Sequence, residues 1–319
     1  MEQTHADVII VGGGTAGLSA AQTLGRSLRR TIVLDSGSPR NRFAAHMHNV
    51  LGHDGATPES LLERGRAEAA AYGVEFVDGS AVRVRDAGDR LAIEVVGAAD
   101  GTPTATLTAR ALVIATGVRD DLPAIPGLSD YWGSSVLHCP YCHGWEVRGS
   151  RVAVLATSPA SLHQVKLARQ WSDDVTVFSA ELGPLDPTVE RSLRARGMRI
   201  VSAPVTEILG DGTSVTGVRT ADGLSHETDA ILTASTMVPL DGFVADLDLA
   251  RTAAPHGSFL TVDGFGKTSH PRIWAVGNVS SPMATVPMAM GAGAAAGGSV
   301  NFALVEEDFT RAVSKEHDD

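Results

Sequence analysis

The stretch from Asp7 to Asp35 limits the possible folds more than any other part of the chain. Asp7-Val8-Ile9-Ile10-Val11 is an apolar, β-branched run, the pattern of a parallel strand buried on both faces. Gly12-Gly13-Gly14-Thr15-Ala16-Gly17 follows, then a helical stretch from Leu18 to Leu28, then Thr31-Ile32-Val33-Leu34 as a second strand closed by Asp35. This is G-x-G-x-x-G in the context that gives it meaning: strand, turn, helix, strand, and an acidic residue about 20 positions on. Gly12 permits the tight turn, Gly14 lets a pyrophosphate reach the backbone, and Gly17 lets helix and strand pack closely. The helix N-terminus then faces the phosphates, and Asp35 accepts hydrogen bonds from ribose hydroxyls. The reading is a dinucleotide site, against the plainer alternative of a glycine-rich turn without ligand. FAD and NAD use the same device, so the motif does not choose between them.

Ser36 to Asn49, with Pro39, Arg40, Asn41, Arg42, His46 and His48, has no helical period and is too long for an ordinary connection. It reads as a loop able to wrap an extended cofactor, though its histidines are equally compatible with plain exposed positions. Thr57-Pro58 predicts a helix with Thr57 as N-cap, running to about Ala71 and stopping near Gly73. Period-two patterns predict short strands at 74–77, 81–85 and 91–96. Ala111 to Ala115 is a further buried strand ending at Thr116-Gly117, followed by a hinge-like stretch with Pro123, Pro126 and Gly127. Near the end, 259–263 and 272–276 read as strands, the second closed by Gly277-Asn278. Pro287 to Ala303 reads as a helix of Gly, Ala and Met, a composition suited to close packing or to close approach of a ligand.

The chain has two cysteines in 319 residues, both within His138-Cys139-Pro140-Tyr141-Cys142-His143-Gly144. So few cysteines do not make a structural disulfide framework, and a catalytic, cytosolic redox pair fits better. A zinc site would need about four ligands and would have to recruit His138 and His143. In Cys-x-x-Cys motifs the first thiol commonly has a depressed pKa, which favours the reactive thiolate. The formal net charge of −11 argues against nucleic acid and anionic membrane surfaces. No uninterrupted run reaches the 18 or so apolar residues of a membrane span. The short polar N-terminus has no secretory pattern, so a cytoplasmic protein is expected.

After the cysteines a second α/β unit begins. Arg151 to Leu155 and Val175 to Phe178 read as strands around a helix from Ala160 to Trp171. A further helix (186–196) and strands near 198–201, 214–220 and 227–233 follow. The outline is that of a nucleotide-binding domain, but its turn, Ala156-Thr157-Ser158-Pro159-Ala160-Ser161, lacks the glycines. Side chains at Ala156 and Ser158 would crowd a pyrophosphate, and Pro159 removes a backbone donor. Glu181 stands where an NADPH site wants arginine for the 2′-phosphate. The reading is a nucleotide-like fold without its nucleotide.

The order Gly12-x-Gly14-x-x-Gly17, Ala115-Thr116-Gly117, Cys139-Pro140-Tyr141-Cys142, Ala275-Val276-Gly277-Asn278-Val279 resembles the low-molecular-weight thioredoxin reductases over nearly the whole chain. The resemblance implies an α/β protein of two Rossmann-like three-layer domains. The FAD domain would be discontinuous, residues 1–118 and 241–319, with a redox-disulfide domain inserted at 119–240. It also implies FAD contacts at Gly12, Gly14, Thr15, Ala16, Gly17, Asp35, Ser36, Arg40, Asn49, Val82, Ala115, Thr116, Gly117, Gly277, Asn278 and Val286, and a homodimer. Five departures stand out. The inserted domain lacks the family's G-x-G-x-x-A and its His-Arg-Arg cluster. His143 replaces the Asp that usually follows the cysteines, Asn278 replaces the Asp after Gly277, and Thr285-Val286-Pro287 stands where an Arg-Gln pair is expected. Together with Cys142-His143-Gly144-Trp145-Glu146, they resemble the dithiol-oxidase branch of the family, which closes disulfides in natural products such as holomycin and gliotoxin.

That branch implies electron flow from a small-molecule dithiol, through Cys139 and then Cys142, to FAD and on to O2, giving hydrogen peroxide, with NADPH not expected. The thiols need a base with a pKa near the working pH. His143 is the first choice and His138 the second, each with a purely structural alternative. His46, His48, Met283 and the 282–287 loop are candidates for the substrate pocket. A disulfide reductase of the same fold, fed by NADPH or by an electron-donor protein, is the alternative function. A non-catalytic flavin-binding redox sensor is the alternative from another class.

Overall fold

The computed structural model describes residues 4–97, 103–254 and 257–318. In chain order, β1 (Thr4–Val11), α1 (Thr15–Arg26), β2 (Thr31–Asp35), α2 (Pro58–Ala71), β3 (Glu75–Asp78), β4 (Ser80–Asp86), β5 (Leu91–Val96) and β6 (Pro103–Ile114) come first. Then come β7 (Val118–Asp121), β8 (Val136–Leu137), α3 (Pro140–His143), β9 (Val152–Leu155), α4 (Ser161–Trp171), β10 (Val175–Phe178), α5 (Pro187–Ala195) and β11 (Arg199–Val201). The remainder is β12 (Val205–Gly210), β13 (Val215–Thr220), β14 (Ser225–Glu227), β15 (Ala230–Thr233), β16 (Thr236–Pro239), β17 (Arg251–Ala254), β18 (Gly257–Leu260), β19 (Ile273–Ala275) and α6 (Val286–Asp318).

The first sheet runs β3-β2-β1-β6-β5-β4, and the late strand β19 returns to pair with β6. Three parallel neighbours, β2, β1 and β6, carry the apolar runs read from the sequence, and Val8, Ile9 and Ile10 are fully buried. Alternate residues feed the two faces. Val8, Ile10, Val33 and Val113 pack against α1 and α6, while Ile9, Ile32, Leu34 and Leu112 pack against Phe243, Val244, Leu249 and Leu260. The second sheet runs β11-β10-β9-β15-β8, with parallel pairings throughout. One face packs on α4 and α5, the other on the antiparallel β12-β13-β14 sheet. The chain crosses between the two sheets twice, and the crossings are themselves paired, β7 antiparallel to β16. Both units are three-layer α/β structures, the fold class expected from the sequence. β7, β8, β12, β14, β16 and β17 were not expected.

Glycines set the closest contacts. Gly12 has a φ of +107°, which L side chains rarely adopt, and a methyl there would overlap the carbonyl of Ala115. A methyl at Gly17 would overlap the carbonyl oxygen of Gly12 itself. Helix α6 is longer than expected, extending past Ala303 to Asp318. It lies on α1 almost backbone to backbone: a Cβ at Gly293 would overlap the carbonyl of Ala16, and one at Gly297 would come within 2.9 Å of that of Ala20. Close packing therefore accounts for Gly293 and Gly297, whereas Gly291 and Gly298 are exposed and meet nothing within 4 Å. Residues 286–315 are also long and apolar enough, by composition, to cross a membrane. That departs from the sequence reading, but Ala289, Ala296, Val300 and Leu304 bury one side of the helix in the core.

Just before α6, the Asn278 amide donates to three carbonyls of the following turn, Ser281 O at 3.1 Å and Pro282 O and Ala284 O at 3.0 Å each. An aspartate, the residue usual in the family, cannot donate and would set a carboxylate against three oxygens.

Two stability changes follow. Gly17→Ala forces a methyl into the Gly12 carbonyl and is expected to cost about 1–3 kcal/mol or more, read as a lowered urea midpoint. Asn278→Asp is expected to cost about 1–3 kcal/mol and more than Asn278→Ala; equal midpoints for these two variants would contradict the donor role.

Candidate functional site

A cavity of about 1320 Å3 runs between the first-sheet turn and the cysteines, larger than the roughly 300–1,000 Å3 of ordinary ligand pockets. At one end lie Gly12, Gly13, Gly14, Thr15, Ala16, Asp35, Ser36, Ala115, Thr116, Gly117, Gly277, Asn278 and Val286. Three observations test whether a dinucleotide fits there. A Cβ built on Gly14 would meet nothing within 4 Å, so the space beside this turn is open. The N-terminus of α1 has no side-chain cap and no acidic residue in its first turn, which leaves its amides and dipole to an anion. Thr116 Oγ1 is buried and has no hydrogen-bond partner among the described residues. The cradle fits a pyrophosphate-linked cofactor.

Cys139 and Cys142 line the same cavity and form a disulfide. Pro140 starts the single turn α3, and the amides of Cys142 and His143 both bond the Cys139 carbonyl, at 3.1 and 3.2 Å. This turn sets the two Cα atoms 5.2 Å apart, within bridging range. His143 also lines the cavity. Burial holds its imidazole below the ordinary histidine value, Glu146 pulls it back up, and the neighbouring His48 pushes it down. His143 is therefore neutral at neutral pH. His138 lines the cavity as well, and its carbonyl accepts a 2.6 Å bond from Gln164 Nε2.

The 36–56 loop ties this redox segment to the cradle. Asn49, with a φ of +60°, donates from its amide to the Tyr141 carbonyl at 2.9 Å. His48 bridges Glu146 and Asp54, its ring nitrogens 3.3 Å from each carboxylate. Arg40 forms a two-pronged pair with Asp120 at 2.6 and 2.7 Å, and Ser235 Oγ donates to the same carboxylate at 2.6 Å. Burial opposes ionisation of Asp120, but Arg40 and Ser235 together hold its carboxyl below the usual range.

The second nucleotide-like turn is built differently. The backbone amides of Thr157 and Ser158 donate to Ser161 Oγ, at 3.2 and 3.3 Å. Ser161 is fully buried, so the protein itself occupies the donors that a glycine-rich turn offers to phosphate. Ala160, Ser161, His163, Gln164 and Leu167 of this turn and α4 line the cavity instead.

Several expected cofactor residues stand differently from their expectation. Val82 lies outside the cavity. The β4–β5 register skips from Ala81 to Arg83, so Val82 is the extra residue of a bulge and faces solvent, while Ser80 and Ala81 line the cavity. Gly17 does not line the cavity and serves the packing described above. The guanidinium of Arg40 and the amide of Asn49 are directed to Asp120 and Tyr141, although both residues line the cavity. His46, His48 and Met283 line it too, with Pro282 to Val286 of the 282–287 loop. Sequence reasoning missed Ser161, Gln164, Glu146, Asp54 and Asp120. Ser161 is not a cap, since the N-cap of α4 is Ala160 without a side-chain bond, and none of these residues carries a local sequence mark of its role.

The model for pyridine nucleotide-disulphide oxidoreductases matches residues 6–293. The chain is 32% identical to thioredoxin reductase aclD of Aspergillus oryzae, over 91% of this chain and 93% of that protein. It is 31% identical to thioredoxin reductase sirT of Leptosphaeria maculans, over 95% of each. Among solved structures, HlmI superposes with a TM-score of 0.89 at 39% identity, covering 97% of this chain and 95% of that one. An oxidoreductase from Agrobacterium tumefaciens gives 0.87 at 34%, covering 95% and 99%. The chain belongs to the pyridine nucleotide-disulphide oxidoreductase family, as a thioredoxin reductase-like flavoprotein that moves electrons through a disulfide.

Proposed function

We propose that this protein is an FAD-dependent dithiol oxidase that closes an intramolecular disulfide in a small-molecule dithiol, with O2 as electron acceptor. One contrast carries the reading. The 12–17 turn leaves its helix N-terminus open beside the disulfide, whereas the 156–161 turn satisfies its own amides with Ser161. One dinucleotide is thereby favoured, and a reduced pyridine nucleotide is not. The likeness to HlmI over nearly the whole chain supports the same branch.

His143, kept neutral by partial burial, takes the proton of the first substrate thiol. The resulting thiolate attacks Cys139 Sγ, the Cys139–Cys142 bond breaks, and Cys142 leaves as thiolate. The second substrate thiol, its proton passing to the Cys142 thiolate, then attacks the substrate sulfur bonded to Cys139, and Cys139 leaves as thiolate. The cyclic disulfide departs, and the pair is left reduced by two electrons. When bound, FAD supplies the sink for those electrons and passes them to O2, yielding hydrogen peroxide. Thr15 and Ala16 at the α1 N-terminus, Asp35, and Thr116 would hold it. The His48–Glu146 contact and the Asn49–Tyr141 bond keep the disulfide segment against the cradle. We also infer a homodimer, supported by Phe302 and Phe309, seven residues apart on α6 and exposed.

Anaerobic mixing tests this directly. A small dithiol is expected to bleach the flavin, NADPH to leave it oxidised, and air to restore the colour with release of peroxide. Rapid bleaching by NADPH would establish the reductase instead. Cys139→Ser and Cys142→Ser are each expected to abolish turnover, and residual oxidation in either would refute the relay.

The histidine has its own signature. Because its pKa lies below the ordinary value of about 6.5, the neutral, active form accumulates as pH rises through a limb below pH 6.5, and kcat/KM rises with it. Glu146→Gln, which removes the charge that raises this pKa, is expected to move the limb to lower pH. His48→Asn is expected to move it up, and His143→Ala to abolish it while sparing flavin content. An unmoved limb in all three variants would exclude His143 as the base.

A further inference from the structure

Tyr141 stands between the two cysteines, in the single turn α3 that carries them. Pro140 beside it is buried, whereas Tyr141 is 60% exposed and lines the cavity. The residue is nonetheless held at both ends. Its carbonyl accepts the 2.9 Å bond from the Asn49 amide. Its ring meets that of Trp171 edge to face, with centroids 5.9 Å apart and planes at 90°, a geometry that aromatic quadrupoles favour. Trp171 is itself fixed. Its carbonyl accepts from the Gly149 amide at 2.8 Å, and its ring lies so close to Gly144 that a Cβ there would come within 2.5 Å of it. A ring fixed in this way and left largely uncovered has lost rotamer freedom without gaining burial. A ligand that covers it gains aromatic contact at low entropic cost.

Position decides what that ligand is. Leu240 and Met283 are exposed in the same cavity, but both stand at the cofactor cradle. Leu240 donates from its amide to the Gly117 carbonyl at 3.1 Å, and Met283 lies in the turn that the Asn278 amide fixes. Tyr141 is on the redox turn instead. Cys139 and Cys142 flank it with their Cα atoms 5.2 Å apart, so a substrate bonded to Cys139 is attached two positions away in the same turn. We propose that Tyr141 is a specificity-determining residue of the dithiol site. Its exposed ring packs against an aromatic body of the substrate while the sulfurs exchange at Cys139, and the preferred dithiols carry such a body next to their thiol-bearing carbons. The inference rests on the dithiol-oxidase reading and adds to it the class of dithiol.

1,2-Benzenedimethanethiol and 1,4-butanedithiol form a matched pair, since both join their sulfurs through four carbons and only the first carries a benzene ring. With the holoenzyme, the ratio of kcat/KM for the aromatic to that for the aliphatic dithiol is measured in wild type, Tyr141→Leu and Tyr141→Phe. Intrinsic differences in thiol reactivity cancel between enzymes, and so does any general damage done by a substitution. The ratio is expected to fall about fivefold in Tyr141→Leu, the effect of one aromatic pair, and to be kept in Tyr141→Phe. Trp145→Leu is the control, because Trp145 is an exposed aromatic residue of the same segment, stacked against Arg148 at 4.2 Å, that does not line the cavity. An unchanged ratio in Tyr141→Leu, or an equal fall in Trp145→Leu, would overturn the proposal.

A second arm needs no turnover. The corresponding cyclic disulfides, 1,4-dihydro-2,3-benzodithiine and 1,2-dithiane, are bound to the oxidised holoenzyme by equilibrium dialysis. Wild type is expected to prefer the benzo-fused ring, and Tyr141→Leu to lose about fivefold of that preference. A preference that survives intact in Tyr141→Leu, or equal affinities in wild type, overturns the stacking role. Absence of turnover with either dithiol counts against the oxidase reading alone, because the binding arm still reports on Tyr141.

Discussion

The contact of Gly17 with the carbonyl of Gly12 is the constraint on which the rest depends. It fixes α1 against β1, and α1 in turn carries the Ala16 and Ala20 carbonyls on which Gly293 and Gly297 of α6 rest. Three backbones therefore meet without side chains between them. The first turn of α1 is left facing open space, with its amides directed there. A side chain at any of these glycines would push the helices apart and close or tilt that opening. The cavity follows from what the sequence leaves out at 12, 17, 293 and 297 as much as from what it places around them.

The two nucleotide-like turns show how one topology yields opposite chemistry. Both follow a buried parallel strand and lead into a helix. At 12–17 the amides face a cavity; at 157–158 they are bonded to Ser161. A hydroxyl held there is always present, whereas a phosphate would have to displace it and desolvate against Ala156 and Ser158. The helix behind that turn is then free for another use, and Ala160, His163, Gln164 and Leu167 become wall of the common cavity.

Much of this was legible in the sequence because it depends on short-range pattern. The strand–turn–helix at 7–35, the N-cap at Thr57, whose Oγ1 accepts from the Ser60 amide at 3.1 Å, and the loop character of 36–49 each follow from a few neighbouring residues. The short strands β12, β14, β16 and β17 were not legible, because their residues do not alternate between buried and less buried positions as those of the short strand β5 do. Nor was Val82. A bulge shifts the side-chain alternation by one, and the partner strand that creates the bulge lies more than ten residues away. The pairs Arg40–Asp120 and His48–Glu146 join residues 80 and 98 apart, and an isolated arginine or histidine in a loop has no local mark of its distant partner.

That last group changes what the 36–56 loop means. As a sequence it suggested a wrap around a cofactor. In the fold, Arg40, His48 and Asn49 reach across to Asp120, Glu146 and the Tyr141 carbonyl, so the loop also governs where the disulfide sits. A reductase that serves a nucleotide and a protein in turn must give the nucleotide access to the flavin and the protein access to the disulfide. Here the disulfide segment is tied at two points, His48–Glu146 and Asn49–Tyr141, while Arg40 anchors the loop to Asp120 of β7, and both cysteines line one cavity. The walls of that cavity include Phe43, Trp132, Tyr141 and Leu167, a largely apolar lining. Asn49 thus acts on the redox segment through the Tyr141 carbonyl that it holds, and Arg40 on the loop that carries Asn49.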